Sequence, residues 1–197
     1  MKKYFISIYL IITIIGCQNH EYKINFGENL DKFKEYFYPK LNENFSEYSS
    51  ENLFVVFYPV GLYVDGYCGV FFKYSYDKVE FDSIALKLEN ASIFKSKIQD
   101  TSKYYIPNYK IDGPVDKFPI PNLNHSVKPL VDSLSTTHRN YLYILKKEKG
   151  RFFNKKGIDE INKFFKSDYK EAIGKGFSKG AIVDYDNREI VYWVIIW

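Results

Sequence analysis

The run of residues 190–197 is the feature of the sequence that most constrains the fold. Its apolar residues fall on both alternating sides of the run, and successive side chains of a β-strand point to opposite faces of a sheet. A strand of this kind has to be covered on both faces. We therefore predict that it belongs to the main core and forms a hairpin with residues 181–185, turning at Asp186-Asn187.

Three other runs also have the character of strands. Residues 53–64 and 67–76 are rich in apolar and aromatic residues and are separated by Asp65-Gly66, a dipeptide that favours a two-residue hairpin turn. Residues 141–145 form a third, shorter run. The sequence thus predicts at least two antiparallel hairpins.

Three segments carry apolar residues at helical spacing. In the first, Asn29 is a candidate N-cap and Pro39 is expected to end or kink the helix. In the second, Leu86 and Ile93 fall off the apolar face, and the third is closed by Gly174. The three apolar faces are Leu30, Phe33, Phe37 and Leu41; Phe81, Ile84, Ala85, Leu88, Ala91, Phe94 and Ile98; and Ile158, Ile161, Phe165, Tyr169, Ala172 and Ile173.

This mixture of hairpins and helices predicts the α+β class. We expect one α+β domain over residues 28–197, with antiparallel hairpins and about three helices. Residues 107–126 carry four prolines and no periodicity, which predicts a long loop. Long loops in compact domains are often functional or mobile, and the sequence leaves the role of this one open.

Charge and aromatic content limit the function classes. The chain has 28 basic and 24 acidic residues, a balance without the basic excess of a nucleic-acid-binding domain. The 19 tyrosines and 17 phenylalanines have two explanations. Biased codon composition is favoured, because Phe, Tyr, Ile, Lys and Asn are enriched together, and a dedicated stacking surface for sugars or bases is the alternative.

The amino terminus has the layout of a signal peptide. Lys2 and Lys3 precede an apolar run that ends at Ile15, and this run is shorter than the roughly 20 residues that span a bilayer. Residues 14–17, Ile-Ile-Gly-Cys, resemble the bacterial lipobox. The resemblance implies cleavage between Gly16 and Cys17, a signal peptide over residues 1–16, lipid on Cys17 and a lipidated tether over residues 17–27.

The same resemblance suggests a location and a partner. The lipid on Cys17 would hold the protein to a membrane of the cell envelope. Residue 18 is Gln and not the Asp that retains lipoproteins at the inner membrane of enteric bacteria, so the outer membrane is favoured. The sequence does not decide between a periplasmic and a surface-facing leaflet.

Cys68 is the second cysteine of the chain, and it lies within an apolar strand-like stretch. If Cys17 carries lipid, Cys68 has no intramolecular partner for a disulfide. Free cysteine is commonly a small core residue. We expect Cys68 to be buried, with catalysis or intermolecular pairing as the alternative.

Residues 176–180, Gly-Phe-Ser-Lys-Gly, match the G-x-S-x-G pattern of serine hydrolases. In the nucleophile elbow a strand precedes the serine and a helix follows it, whereas here a helix is predicted before Ser178 and a strand after it. We therefore predict a glycine-rich structural turn. Two alternatives remain: a hydrolase that uses Ser178 with His125 or His138 and Asp184, and an anion cradle formed by Gly174, Lys175, Gly176, Ser178, Lys179 and Gly180.

No metal or cofactor site is expected. Asp184, Asp186 and Glu189 cluster near the last turn, but they lack the glycine and the distal glutamate of an EF-hand loop. We interpret them as turn carboxylates. His125 and His138 are too far apart in the sequence for a zinc signature, and Cys68 adds no C-x-x-C pair.

The sequence supports three functional hypotheses. The leading one is a non-enzymatic, membrane-anchored lipoprotein whose domain binds another protein or a cell-envelope component. It is favoured because the sequence carries an anchor signal but no convincing set of catalytic residues. An envelope hydrolase and an immunity lipoprotein against a secreted toxin are the alternatives. We assign no catalytic residue.

Overall fold

The computed structural model describes residues 28–57, 66–107, 113–122, 140–163 and 174–197. These residues form four α-helices, α1 (Glu28–Lys34), α2 (Pro39–Asn42), α3 (Lys78–Ala91) and α4 (Lys155–Asn162). They also form eight strands, which are β1 (Leu53–Phe57), β2 (Cys68–Ser75), β3 (Phe94–Lys97), β4 (Tyr104–Tyr105), β5 (Phe118–Pro119), β6 (Asn140–Lys149), β7 (Gly176–Asp184) and β8 (Glu189–Ile196).

The main sheet contains six of the described strands in the order β1-β2-β8-β7-β6-β3, and every neighbouring pair is antiparallel. β8 lies near the middle of the sheet, and seven of its residues are buried. The fold is therefore α+β, and the predicted core position of residues 190–197 is confirmed. The predicted hairpin is also confirmed, because Asp184 lies opposite Glu189 across a turn centred on Asp186-Asn187.

We call the two faces of this sheet the helical face and the proline face. On the helical face the buried side chains include Ile190, Tyr192, Val194 and Ile196 of β8, and they pack against α1, α2 and α3. On the proline face they include Val191, Trp193 and Ile195, which pack against Ile120 and Phe118 of the proline-rich segment. Alternate side chains along β8 thus belong to two separate hydrophobic clusters.

Helix α3 begins at a side-chain cap, since the carboxylate of Asp77 accepts a hydrogen bond from the backbone N–H of Glu80 at 2.9 Å. Phe81, Ala85 and Leu88 are buried as predicted. The predicted extension of this helical face to Phe94 and Ile98 is wrong. Phe94 begins β3 and Ile98 follows it, because an edge strand pairing with β6 takes over after Ala91. The predicted off-face residues Leu86 and Ile93 are exposed.

The first helical segment is divided at Pro39. All four residues of its predicted apolar face, Leu30, Phe33, Phe37 and Leu41, are buried. Pro39 does not kink a continuous helix but occupies the first turn of α2, where its missing N–H costs nothing. Asn29 lies inside α1 and is not its cap.

The strands β1 and β2 pair as predicted, with Phe57 opposite Gly69. Gly66 adopts a positive φ of 80°, a conformation that favours glycine. Asp65 lies outside the described residues.

The predicted turn at residues 176–180 is wrong, because these residues belong to the long strand β7. Gly180 lies opposite Trp193 of β8, and a Cβ atom at Gly180 would overlap the Trp193 ring. A Cβ atom at Gly176 would likewise overlap the ring of Trp197. The glycines of the G-x-S-x-G match therefore make room for two indole rings.

The described part of the proline-rich segment is a cover for the proline face. β5 pairs with β4 in parallel, and the ring of Phe118 stacks on that of Phe94 with centroids 4.7 Å apart. Ile120 is buried, and its N–H donates to the carbonyl oxygen of Tyr105 at 2.9 Å. The part of the predicted long loop around Ile120 is thus core, whereas Val115 is 84% exposed.

Helix α4 carries the beginning of the third predicted apolar face. Ile161 is buried, but Ile158 is 46% exposed, so it does not belong to the core. Gly174 has a positive φ of 71°, a conformation that favours glycine. Phe165, Tyr169, Ala172 and Ile173 lie outside the described residues. None of the helices in the described ranges is long and apolar enough to cross a bilayer.

Candidate functional site: a tyrosine and lysine cleft

A cavity of about 470 Å³ opens on the helical face of the sheet. Helix α3 forms one wall, and strands β2, β6, β7 and β8 form the floor. We call this cavity the tyrosine–lysine cleft. Its polar lining consists of Glu47, Tyr48, Tyr74, Tyr76, Lys87, Lys146, Lys179 and Tyr192.

The four tyrosines form one aromatic array. Tyr48 stacks on Phe72 of the core, with ring centroids 4.6 Å apart and an interplanar angle of 21°. Tyr74 meets Tyr192 edge-on at 5.6 Å and lies parallel to Tyr76 at 5.9 Å. Such aromatic pairs are mutually stabilising, so the rings are held in fixed positions.

Burial keeps the hydroxyls of this array protonated. It raises the pKa of Tyr48 and of Tyr192 well above the usual tyrosine range, and it raises the pKa of Tyr76 to about 12. The hydroxyls of Tyr76 and Tyr192 also hydrogen-bond to each other. At neutral pH all three tyrosines are therefore uncharged hydrogen-bond donors.

Lys179 is the most enclosed cation of the cleft. It projects from β7 with 13% of its side chain exposed, pairs with the carboxylate of Glu47, and lies 5.2 Å from the centroid of the Tyr48 ring. Burial lowers the pKa of its ammonium group. An ammonium group in this position gains from a second anion, because a negative partner offsets the loss of hydration.

Lys146 reaches the cleft through an irregularity in β6. The register between β6 and β7 shifts between Ile144 and Lys146, and a bulge of this kind redirects the side chains next to it. Leu145 and Lys146 consequently both line the cleft. The Lys146 ammonium pairs with Glu148 at 3.4 Å, and Glu148 also pairs with Lys40.

The wall contributed by α3 is mostly apolar. Ile84, Leu88 and Ala91 face the cleft from successive turns of the helix, and Lys87 stands among them. Lys87 is exposed and has no ion-pair partner among the described residues. The cleft therefore combines an apolar wall, an aromatic floor and a rim with three ammonium groups.

Ser178 does not lie in the cleft. It is fully buried on the proline face, and its hydroxyl donates to the carbonyl oxygen of Pro119 at 2.7 Å. A nucleophilic serine needs access to substrate and a base that takes its proton. The Ser178 hydroxyl is buried and donates its hydrogen bond to a backbone carbonyl oxygen instead of a base. The alternative of an anion cradle over residues 174–180 is also wrong, because Gly176 to Gly180 are extended strand.

Asp184 closes the turn between β7 and β8, as predicted for a turn carboxylate. Its Oδ1 accepts from the backbone N–H groups of Asp186 and Asn187 at 2.9 and 3.0 Å, and its Oδ2 accepts from the Asn187 amide at 2.9 Å. Glu189 pairs with Lys73 at 2.9 Å. The described residues contain no group of three or more side chains placed to hold a metal ion.

The remaining candidates have simple outcomes. Cys68 is a buried free thiol, as predicted, and burial raises its pKa well above the ordinary thiol value. Gly16, Cys17 and the tether over residues 17–27 lie outside the described residues, as do His20, His125 and His138.

The tyrosine–lysine cleft was not found from the sequence. Its residues come from four strands, one helix and two connecting segments, so no local spacing marks them. The one available signal was the high tyrosine content, which we ascribed to codon composition. The chain matches no known family model, no curated protein sequence and no solved structure.

Proposed function

We propose that this protein is a membrane-anchored bacterial lipoprotein whose envelope domain binds a ligand without converting it, and that the tyrosine–lysine cleft is the binding site. The observation that carries the binding part is the cleft itself. Its volume of about 470 Å³ falls within the roughly 300–1,000 Å³ of small-molecule sites, and it contains several polar groups on an apolar surface.

The non-enzymatic part of the proposal is supported by the positions of the best catalytic candidates. The Ser178 hydroxyl is buried against Pro119, and the Asp184 carboxylate accepts three hydrogen bonds within its own turn. The cleft offers donors and rings, which suit binding, whereas covalent catalysis needs an activated nucleophile.

The anchor part rests on the amino-terminal sequence. The lipobox-like residues 14–17 and the charged start support lipid on Cys17 and attachment to the cell envelope, and Gln18 supports the outer membrane. Replacing Cys17 by Ser should abolish incorporation of labelled fatty acid and leave unprocessed precursor. Undiminished label in Cys17→Ser would refute the anchor.

A thermal-shift screen of the purified chain against soluble cell-envelope components tests the binding site. Ala91→Trp fills the cleft from the end of α3, and Ile93→Trp places the same ring at a position that is already 58% exposed. We expect any stabilising compound to lose its effect in Ala91→Trp and to keep it in Ile93→Trp. Equal stabilisation of both variants would place the binding site elsewhere.

A fluorophosphonate probe tests the hydrolase alternative. Because Ser178 is buried, we expect the native protein not to react. Labelling that disappears in Ser178→Ala would replace the binding proposal with an enzymatic one.

A further inference from the structure

The hydrogen-bonding groups of the tyrosine–lysine cleft are mostly donors. The hydroxyl of Tyr48 is buried and has no hydrogen-bond partner among the described residues. The hydroxyl of Tyr74 accepts from the backbone N–H of Ser49 at 3.0 Å, which leaves its own proton to donate. The lysine ammonium groups add donors and no acceptors. The donors that remain for a ligand are the Tyr74 proton and the lysine ammonium groups, and these pair with oxygen acceptors.

The charge of the cleft leads to the same requirement. Three lysines line it together with one carboxylate, that of Glu47. Glu148, the other acid near Lys146, is shared with Lys40. An excess of positive charge in a partly enclosed site attracts anions, and the Glu47 carboxylate marks a position where an anion pairs with Lys179.

The size and the apolar wall favour an organic ligand over a simple inorganic anion. A cavity of about 470 Å³ suits a molecule of many heavy atoms. Ile84, Leu88 and Leu145 offer contacts only to an apolar surface, and the Tyr192 ring offers a flat one. The anionic group therefore needs an organic body attached to it.

We infer that the tyrosine–lysine cleft binds an organic anion, with its acidic group on Lys179, Lys146 and Lys87 and its body against the tyrosine rings and the α3 wall. This inference rests on the proposed function, since it names the ligand class of the same site. The acidic group competes with the Glu47 carboxylate for Lys179. Glu47 thus lowers the affinity of the site for the ligand, because its carboxylate occupies Lys179 in the absence of the ligand.

Three probes with the same ring and different charge test the inference. Benzoate, benzamide and benzylammonium are titrated into the full chain in detergent and followed by ligand-observed NMR. We expect benzoate to bind about tenfold more tightly than benzamide, since one charge-assisted hydrogen bond corresponds to about that factor. Benzylammonium should bind most weakly. Benzoate that binds no more tightly than benzamide overturns the inference.

Charge variants of the protein locate the anion. Lys179→Gln should weaken benzoate about tenfold, whereas Glu47→Gln should tighten it about threefold because a competing carboxylate is removed. Lys155→Gln, an exposed lysine on α4 that does not line the cleft, is the control and should change nothing. Unchanged affinity in both Lys179→Gln and Glu47→Gln overturns the inference.

The outcomes separate this inference from the proposed function. If benzoate and benzamide bind equally and Ala91→Trp blocks both, the cleft stands as a binding site and the preference for anions is wrong. If benzoate binds and Ala91→Trp leaves its affinity unchanged, the inference and the assignment of the cleft as the binding site are both wrong. The inference is also overturned if benzoate does not bind at concentrations up to about 50 mM, which lies beyond the weakest useful affinities. The thermal-shift screen then still tests whether the cleft is a binding site.

Discussion

The two faces of the central sheet are filled in different ways. On the proline face Gly176 and Gly180 of β7 make room for the indole rings of Trp197 and Trp193. The Ser178 hydroxyl donates to Pro119, and Phe118 and Ile120 cover the layer. On the helical face, rings and helices cover most of the sheet but leave the tyrosine–lysine cleft between α3 and the strands.

The difference indicates how stability and function are divided. Closely packed interiors lose stability when a single atom is added or removed, so the proline face should tolerate little change. Residues around an open cavity have room to move or to be replaced. We expect substitutions on the proline face to change the free energy of unfolding, and substitutions in the cleft to change mainly binding.

The largest effect should come from removing β8, because this strand serves both faces. Seven of its residues are buried, and each large apolar side chain contributes roughly 1.5 to 3 kcal/mol. The sum, about 10–20 kcal/mol, is as large as a typical stability of about 5–15 kcal/mol. A chain ending at Arg188 should therefore show no cooperative thermal transition. A transition close to that of the full chain would mean that β8 is a docking surface instead of core.

Adding one methyl group to the proline face should have the next largest effect. In Gly180→Ala the new Cβ would overlap the Trp193 ring and the backbone carbonyl of Tyr143, which should destabilise the fold by about 3 kcal/mol. Ala91→Leu adds more atoms, but into the cleft, and should cost less than about 0.5 kcal/mol. Chemical denaturation measures the free energy of unfolding of both variants. Similar losses of stability would contradict the proposed difference between the two faces.

Removing the buried hydroxyl of Ser178 should have an intermediate effect. Ser178→Ala leaves the carbonyl oxygen of Pro119 without its donor, at a cost of about 1–3 kcal/mol. Ser75→Ala, at an exposed serine of β2, is the matched control and should stay within about 0.5 kcal/mol. A loss for Ser178→Ala no greater than that of the control would show that the hydrogen bond to the proline-rich segment is dispensable.

The smallest effect on stability should come from the cleft lysine. Burial lowers the pKa of Lys179, so its charged form is disfavoured in the folded state. The Glu47 side chain is already 55% exposed in the pair, so its carboxylate stays hydrated when the lysine is removed. Lys179→Met should therefore be neutral or stabilising by up to about 1 kcal/mol. A loss above about 2 kcal/mol in thermal unfolding would make Lys179 a structural residue rather than a ligand-binding one.

The sequence predicted the features that depend on one segment at a time. The core position of β8 followed from its two apolar sides, and burial of Cys68 followed from its apolar surroundings. The helical spacing of α3 was correct as far as Ala91 and wrong at Phe94, where the apolar positions of an edge strand happened to continue the helical pattern.

Features that depend on distant segments were not predictable in the same way. The glycines of β7 are explained by Trp193 and Trp197, which lie in the next strand, so residues 176–180 alone were interpreted as a turn. The cleft joins Tyr48, Lys146 and Tyr192 from separate parts of the chain. The spacing of these residues in the sequence does not predict that they lie together, because their proximity results from the order of the strands in the sheet.

The pairing of β2 with β8 also has a consequence for how the molecule acquires its structure. These strands are neighbours in the middle of the sheet although more than half of the sequence separates them. Contacts of such long range form slowly, because a large loop has to close before they are gained. The centre of the sheet cannot assemble until β8 has been synthesised. We expect a chain with this strand order to fold late, which would suit the passage across a membrane that the proposed lipid anchor requires.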